Sequence, residues 1–252
     1  MRFYSLLAGT LLMAGLSACV NDHGLIGANR VKGPTVTLGN GQAYAWADLD
    51  AQRNPTGVGI ALTKGALDNL PPAMPGTSFL LTLPAEIAGK TAFNHISLDY
   101  NPMGHEPTGI YTLPHFDMHF YATTPAFQAA IPPYMPATAA KFDNLPPAGF
   151  MPASYIRLPG GVPGMGTHWA DPTSPELAGA TFTETFIFGS YDGLLTFYEP
   201  MITINYLKGS PNMTKNIAQP TKFAMSVYYP TRYRISPEGT DMVVALEGMV
   251  KK

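Results

Sequence analysis

Apolar and polar residues alternate along many short segments of the chain, most clearly in "PHFDMHFY", residues 114–121. Within it, phenylalanine or methionine alternates with His115, Asp117 and His119. A period of two is the period of a β-strand, whose side chains point alternately to opposite faces. The segment is therefore predicted to be a strand with one apolar face and one face of titratable groups.

Strand-like runs recur along most of the chain and are separated by turn residues rather than by long helical segments. The predicted strands are "TVTLGNGQAYAWADLD" with a Gly-Asn-Gly turn, "VGIALT", "SFLLTL", "FNHISLDY", "PHFDMHFY", "ATFTETFIFGSY", "LLTFYEPMITINYL", "TKFAMSVYYP" and "MVVALEGMV". The chain has no βαβ alternation. The pattern therefore predicts a mainly β protein, a single antiparallel β-sandwich or barrel domain over residues 35–252.

Two segments depart from the strand pattern. A short helix is predicted over residues 64–70, with Thr63 as its N-cap and Pro71 and Pro72 ending it. The proline-rich segment 124–152 is predicted to be an irregular covering loop with one or two helical turns.

Composition narrows the class of protein. The chain has 252 residues, of which 46% are apolar, and this apolar content excludes global disorder. It has 25 glycines and 25 prolines, which shorten every regular element. Only 13% of the residues are charged and no basic patch is evident, so the sequence argues against nucleic-acid binding.

The N-terminal segment has the pattern of an export signal. Arg2 is followed by an apolar run, Leu6 to Leu16, that is too short to span a membrane as a stable helix. The run ends in Leu-Ser-Ala before Cys19, the only cysteine of the chain, and this sequence resembles a bacterial lipoprotein signal. An ordinary signal peptide with an incidental cysteine is the alternative.

The lipoprotein interpretation predicts a signal peptide over residues 1–18 and lipidation of Cys19, with a flexible tether over residues 19–34. The predicted partner is then the membrane, through the lipid anchor. By resemblance to lipoprotein sorting in diderm bacteria, Val20 favours the outer membrane. The β domain would face the periplasm or the cell surface.

A strong turn signal, Asp192-Gly193, separates two late apolar runs and predicts a β-hairpin. If the pairing is regular, Glu184 lies opposite Met201, and Glu184 and Glu199 lie on one aromatic-rich face. If that face is buried, each carboxylate must be paired, protonated or metal-bound, because an unpaired buried charge is too costly. The alternative is that this face is exposed to solvent.

The spacing of the polar residues in "PHFDMHFY" limits what they can bind together. Residues i and i+2 of a strand are about 6.7 Å apart, and residues i and i+4 about 13 Å apart. His115 and His119 therefore cannot bind one ion unless a bulge brings them together. At most two of His115, Asp117 and His119 are expected to bind the same ion, and the third serves another site or orients a ligand.

Other imidazoles and carboxylates lie in short polar segments, His105 and Glu106 in "GHEP" and His168 in "GMGTHWADP". We predict that a single cluster forms, and that it could hold one divalent transition metal ion. Imidazole with carboxylate suits zinc, manganese, iron or copper better than calcium. The predicted members are His115, Asp117, His119, His168 and Glu199, with His105, Glu106 and Glu184 at the edge. The alternative is a buried hydrogen-bond network without metal.

Three blocks of the sequence resemble an uncharacterised family of secreted bacterial proteins, a domain of unknown function named for a sigma-E-regulated thermophile protein. The blocks are "NHISLDYNPMGHEPTGIYTLPHFDMHFY", "GGVPGMGTHWADPTSPE" and "FIFGSYDGLLTFYEPMIT". The resemblance extends from about Thr35 to Leu207 and implies no particular activity. It implies that the following residues lie in the family's motif blocks: His105, Glu106, His115, Asp117, His119, His168 and Glu199.

These observations leave three functions open. The first is binding of a transition metal or a small ligand at the His/carboxylate cluster. The second is a metal-dependent isomerase, cyclase or oxygenase, which an open pocket with free coordination positions would favour. The third is a structural envelope-stress protein with a closed and fully paired polar network. The sequence also leaves open whether the chain forms a homo-oligomer.

Overall fold

The computed structural model describes residues 29–71 and 77–252. The predicted signal peptide, Cys19 and the first ten residues of the predicted tether lie outside the described residues. None of the helices in the described ranges is long and apolar enough to cross a membrane.

The regular elements are short strands with a few helical turns. The strands are β1 (Arg30–Leu38), β2 (Gly41–Leu49), β3 (Pro55–Leu62), β4 (Thr77–Thr82), β5 (His95–Asn101), β6 (His115–Tyr121), β7 (Ile156–Arg157), β8 (Thr167–Ala170), β9 (Glu184–Tyr191), β10 (Leu194–Thr203), β11 (Met213–Asn216), β12 (Tyr228–Tyr229), β13 (Arg232–Glu238), β14 (Asp241–Glu247) and β15 (Val250–Lys251). The helices are α1 (Pro125–Ala129), α2 (Ala139–Asp143) and α3 (Ile204–Lys208), with 3₁₀ turns at Ala85–Ile87 and Pro175–Ala178.

The strands form two antiparallel sheets that pack face to face, which confirms the predicted mainly β fold and selects the sandwich over the barrel. One sheet has six strands in the order β1-β2-β3-β14-β13-β11. The other has seven strands in the order β4-β5-β6-β10-β9-β8-β7. A small third sheet pairs β12 with β15.

The predicted alternation of "PHFDMHFY" is confirmed in β6. Its apolar residues, Phe116, Met118 and Phe120, are buried in the core between the two sheets. Because side chains alternate along a strand, the polar residues of β6 lie on the opposite, outer face of the seven-stranded sheet. The inner face of the six-stranded sheet completes this core with residues such as Ile60 and Val244.

Loop residues cover the outer face of the seven-stranded sheet. One cluster packs Tyr111 and Phe182 against Ile187 of β9. Another packs Phe142 of α2 against Tyr191, with ring centroids 4.9 Å apart. The proline-rich segment contributes α1 and α2 to this cover, as predicted. The polar residues of β6 are therefore enclosed, although they point away from the core between the sheets.

The first strand begins earlier than predicted, because β1 starts at Arg30 within the segment predicted as tether. Arg30 Nε donates to Asp48 Oδ1 at 2.7 Å, and its guanidinium lies 3.6 Å from the centre of the Trp46 ring. These contacts fix the start of β1 against β2. The alternation is interrupted where the pairing shifts between Lys32 and Thr35, which hides the strand in the sequence.

The predicted helix over residues 64–70 is wrong, and turns occupy the segment. Gly65 has a φ of 85°, which a right-handed helix cannot accommodate. The hydroxyl of Thr63 accepts a hydrogen bond from the backbone of Gln42 at 2.8 Å instead of capping a helix. The carbonyls of Gly65 and Asp68 likewise accept from the backbone N–H of Asn40, so the segment is bonded to the β1–β2 turn.

Late in the chain, several predicted strand boundaries are wrong. The run predicted to continue to Leu207 ends at Thr203, whose hydroxyl caps α3 by accepting from Tyr206 N at 3.3 Å. The predicted strand in residues 221–230 is reduced to β12. Strands β11 and β13 were not predicted.

The β9–β10 hairpin turns at Asp192 and Gly193 as predicted, with positive φ values of 51° and 82°. A bulge then follows between Leu195 and Phe197 and shifts the pairing by one residue. A shift of one residue moves the following side chains to the opposite face. The bulged Thr196 bonds outside β9, and its hydroxyl donates to the carbonyl of Met165 at 3.1 Å.

The prediction that Glu184 and Glu199 share a face is therefore wrong. Glu184 pairs with Ile202 rather than with Met201, and it points between the two sheets. There it accepts a hydrogen bond from the Tyr233 hydroxyl at 2.6 Å and forms an ion pair with Lys215. Glu184 is not at the edge of the predicted cluster.

Candidate metal centre

The outer face of the seven-stranded sheet carries two groups of imidazole and carboxylate side chains. His105, His115 and Asp117 form the first group, which we call the exposed triad. The second group, the enclosed triad, consists of His119, His168 and Glu199. Within each triad, one ligating atom from each residue lies within 4.8 Å of the others.

The exposed triad combines strand β6 with the loop that precedes it. His115 and Asp117 are adjacent same-face residues of β6, and His115 Nε2 lies 3.1 Å from Asp117 Oδ1. His105 comes from the β5–β6 connection, and its Nε2 lies 3.2 Å from Asp117 Oδ2. The side chain of His115 is fully buried, whereas that of His105 is 37% exposed. The triad is therefore open to solvent on one side.

Backbone carbonyls fix the tautomers of both histidines in the exposed triad. His115 Nδ1 lies 2.6 Å from the carbonyl oxygen of Leu113, and His105 Nδ1 lies 2.6 Å from that of Glu106. Because a carbonyl oxygen only accepts, each Nδ1 must carry the proton. The Nε2 atom of each ring therefore faces Asp117, and without a proton it would direct its lone pair there, as in histidines that bind metals.

The enclosed triad is built from three strands. Strand β10, which carries Glu199, pairs with β6, which carries His119, and His119 Nε2 lies 3.3 Å from Glu199 Oε1. His168 on β8 contributes Nε2 at 3.9 Å from Glu199 Oε2. The side chains of His119 and Glu199 are 0% and 2% exposed, and that of His168 is 18% exposed. This triad is almost closed to solvent.

Local packing brings His168 to the triad. The neighbouring Trp169 donates its indole N–H to Ser190 Oγ at 2.8 Å, which ties β8 to β9. His168 pairs with Gly189, and a Cβ at Gly189 would lie 2.1 Å from a ring atom of Phe197. The missing side chain of Gly189 therefore makes room for Phe197, whose ring lies 4.7 Å from that of His119.

A second carboxylate lies behind His119. Asp99 on β5 places Oδ2 2.8 Å from His119 Nδ1, on the side of the ring away from Glu199. Its other oxygen accepts a hydrogen bond from the Ser97 hydroxyl at 2.8 Å. Asn101, on the same face of β5, donates to Asp117 Oδ2 at 2.7 Å in the exposed triad. Strand β5 thus supports both triads from one side.

Several polar atoms of the triads are buried but lack a hydrogen-bond partner among the described residues. They are His115 Nε2, Asp117 Oδ1, His119 Nδ1, His119 Nε2 and Glu199 Oε2. Four of the five lie within 3.3 Å of a carboxylate oxygen or an imidazole nitrogen, yet their directions do not suit a hydrogen bond. Leaving such groups unpaired is costly, and a cation between them would satisfy several at once.

The charges in the exposed triad favour an ion pair when no metal is present. Burial acts to lower the pKa of His105, but the hydrogen bond and charge of Asp117 outweigh it and raise the pKa to about 9. Burial acts to raise the pKa of Asp117, but His105 and His115 hold it well below its usual range. A metal ion bound there would displace the proton of His105.

Burial dominates the electrostatics of the enclosed triad. It raises the pKa of Glu199 to about 8 and lowers the pKa of His168 to about 3. For His119 burial also acts to lower the pKa, but the charges of Glu199 and Asp99 raise it to about 9. The neutral His168 is in the protonation state that a metal ligand needs.

The predicted single cluster is thus divided into two triads on one sheet face. His115 and His119 lie in different triads, and the expectation that they do not bind one ion stays a prediction. His105 is a full member of a triad rather than an edge residue. Glu106 is exposed, and its carboxylate accepts from Thr108 N at 2.6 Å instead of joining a triad.

Sequence reasoning missed the supporting residues on β5. The segment "FNHISLDY" was predicted as a strand, and its polar residues alternate with apolar ones. That alternation places Ser97 and Asp99 on one face. It was the only signal available, because nothing in the sequence indicates that β5 pairs with β6.

The donor sets suit a transition metal. Two imidazoles and one carboxylate bind zinc in hydrolases and non-haem iron in oxygenases. Calcium prefers six to eight oxygen donors, which neither triad offers. Each triad could therefore hold a divalent transition metal ion and leave coordination positions free.

Two cavities lie away from both triads. One, of about 190 Å³, is lined in part by Tyr155, Glu184 and Tyr233. The other, of about 260 Å³, is lined in part by Leu62 and Leu207. Neither is lined by a triad residue, so neither is a substrate pocket for a metal bound in the triads.

Comparison with known proteins gives a partial family match. Residues 50–100 match the model of a family described as TTHB210-like, hypothetical protein TTHB210. The matched segment includes β3, β4 and most of β5, with Ser97 and Asp99, and it ends before the first triad residue. It supports the resemblance to an uncharacterised family over that segment. No curated protein and no solved structure matches the chain.

Proposed function

We propose that the protein is a bacterial envelope lipoprotein whose β-sandwich binds divalent transition metal ions at the exposed and enclosed triads. One observation carries the metal-binding part of this proposal. Five buried polar atoms of the triads lack a hydrogen bond among the described residues, and four of them lie within 3.3 Å of a carboxylate oxygen or an imidazole nitrogen. An ion is the simplest occupant that would satisfy imidazole nitrogens and carboxylate oxygens together.

A buried hydrogen-bond network explains the same residues less well. In such a network the donors and acceptors are aligned, and few buried groups are left over. Glu184 illustrates that case in this protein, because Tyr233 and Lys215 both contact it directly. The triads differ from such a network because five of their buried atoms have no hydrogen bond among the described residues.

A metal-dependent isomerase, cyclase or oxygenase is the second candidate. The observation that favours it is the number of donors, because each triad offers three and a catalytic metal keeps a position free for substrate. The two cavities described above are not lined by triad residues, so they do not add to the case for catalysis. Turnover of a substrate that depends on an intact triad would favour the enzyme.

Metal analysis tests the proposal. The protein is purified without a chelator or a histidine tag, reconstituted with zinc, manganese, iron or copper, and analysed for bound metal. We expect two ions per chain, and one fewer in each of the His119→Ala and His168→Ala variants. His95→Ala is the matched control, because His95 is a buried histidine of the same sheet face outside both triads. A wild-type protein that binds none of the four metals would refute the metal-binding proposal.

Fractionation tests the anchor. Lipidation of Cys19 predicts that the protein sediments with outer membranes and that Cys19→Ala moves it to the soluble fraction. If the variant fractionates as the wild type does, the lipoprotein part of the proposal fails. Metal binding by the β-sandwich does not depend on this result.

A further inference from the structure

The two triads have the same donor types but differ in how their donors are held. In the exposed triad, His105 lies in the loop between β5 and β6, outside any strand. In the enclosed triad, all three donors lie on hydrogen-bonded strands of one sheet. A donor on a loop can move away from an ion without breaking a sheet, whereas a donor on a paired strand cannot.

Solvent access differs in the same direction. The side chain of His105 is 37% exposed, whereas those of His119 and Glu199 are 0% and 2% exposed. Water or a competing chelator can therefore approach an ion in the exposed triad from the side of His105. At the enclosed triad, His168 gives the main access, with 18% exposure.

Aromatic rings add to the enclosure of the second triad. The ring of His119 contacts Phe197 edge-on at 4.7 Å and stacks with Tyr121 at 5.5 Å. The Tyr121 hydroxyl donates to the carbonyl of Gly164, which closes the covering loop over this part of the sheet. These packed rings and the bonded loop close the His119 side of the enclosed triad, so the partly exposed His168 is the main route by which an ion can leave.

We propose that the exposed triad is an exchange site, where a divalent transition metal ion equilibrates rapidly with solvent, and that the enclosed triad retains its ion. This inference rests on the proposed metal-binding function. It assigns different roles to two sites with one donor set, since loop position and exposure set the exchange rate. The protein would then keep one ion as a permanent part of its structure and bind the other reversibly.

Zinc release measures the difference. Protein loaded with two zinc ions per chain is mixed with an excess of a chromophoric chelator, and release is followed over time. We expect two phases of equal amplitude whose rates differ by at least about tenfold, since partners of metal ligands change metal affinity by about 10–100-fold and such differences lie mainly in the dissociation rate. His105→Ala should remove the fast phase alone, and His168→Ala the slow phase alone. Glu184→Ala, which changes the opposite face of the sheet, should leave both phases.

The outcomes separate this inference from the function on which it rests. If no zinc binds, the proposed function fails. If two ions bind but leave in one phase, or if His105→Ala removes the slow phase, metal binding stands and the exchange site is refuted. Circular dichroism checks that each variant is folded. His168→Gln replaces His168→Ala if the latter unfolds, and it should also lose the slow phase.

Discussion

Two buried carboxylates on the β9–β10 hairpin, Glu184 and Glu199, have opposite environments. They are 8% and 1% exposed, so burial does not distinguish them. Glu184 points between the sheets, where a tyrosine hydroxyl and a lysine satisfy its oxygens. Glu199 points to the outer face, where it meets His119 and His168 and leaves Oε2 unpaired among the described residues.

A buried carboxylate therefore marks a candidate site only when its oxygens lack hydrogen-bond or ion-pair partners. The contacts of Glu184 form a local interaction that stabilises the fold. Glu199 lies beside the imidazoles of His119 and His168, which could bind a metal ion together with it. Substitutions at Glu184, between the sheets, should therefore reduce the stability of the fold. Substitutions at Glu199, on the outer face, should reduce metal binding.

The largest expected effect is that of Glu199→Ala on metal-dependent stability. Zinc at about 1,000 times its Kd stabilises a protein by about 4.1 kcal/mol per site. Removing Glu199 should abolish the stabilisation that zinc provides at the enclosed triad, because Glu199 is both a proposed zinc ligand and the carboxylate beside His119. Thermal unfolding with and without zinc measures the effect, with Glu184→Ala as the control that keeps the zinc response. An equal zinc response in both variants would contradict the assignment of metal binding to Glu199 and not to Glu184.

The next effect is that of Glu184→Ala on stability without metal. The hydroxyl of Tyr233 would lose its acceptor while remaining buried, which costs about 1–3 kcal/mol. Lys215 is 53% exposed and would be solvated, so it adds little. Urea unfolding of metal-free protein measures the cost. A loss of zinc from this variant would show that the two faces are not independent.

A smaller effect is expected for Asp99→Asn, which keeps the shape of the side chain and removes its charge. Asp99 lies 2.8 Å from His119 Nδ1, and such partners of a ligating histidine change metal affinity by about 10–100-fold. The loss should appear at the enclosed triad and leave the exposed triad unchanged. Competition with a chelator of known zinc affinity measures it. Unchanged zinc affinity at both triads would show that Asp99 does not influence metal binding through His119.

The last prediction concerns pH rather than a substitution. In the metal-free protein, His105 and His119 have folded pKa values of about 9, above the unfolded value of about 6.5. Their contribution to stability is therefore fully present below pH 6.5 and is lost as the pH rises through 9. The raised pKa of Glu199 acts in the same direction, while His168 stays neutral in this range.

Zinc should reverse this trend, because metal binding releases the same protons and strengthens as the pH rises. The Tm of metal-free protein should fall between pH 6.5 and 9, and the increase in Tm on adding zinc should grow. Matched melting curves at several pH values check both signs. A metal-free Tm that rises across this window would contradict the assigned protonation states.

Alternation along the strands made much of the fold predictable. The apolar face of β6, the β1–β2 hairpin and the Asp192-Gly193 turn all follow from local sequence. The helix over residues 64–70 failed because its residues bond to a distant turn, which the local pattern does not contain. Strand β1 was placed late because a shift in pairing interrupts its alternation.

The candidate site was predictable only in part, because its geometry depends on one extra residue. The Thr196 bulge separates Glu184 from Glu199, and local sequence does not reveal it because Thr196 bonds to a remote loop. The polar face of β6 was recognised from its spacing alone. The role of Asp99 depends on the pairing of β5 with β6, which only the structure supplies.

Anomalous diffraction from crystals of the zinc-loaded protein would show directly whether both triads bind metal. We expect two zinc peaks, one among His119, His168 and Glu199 and the other among His105, His115 and Asp117. We also expect no peak beside Glu184. Zinc bound only elsewhere, or triads that remain empty while their atoms form aligned hydrogen bonds, would contradict metal binding at the triads.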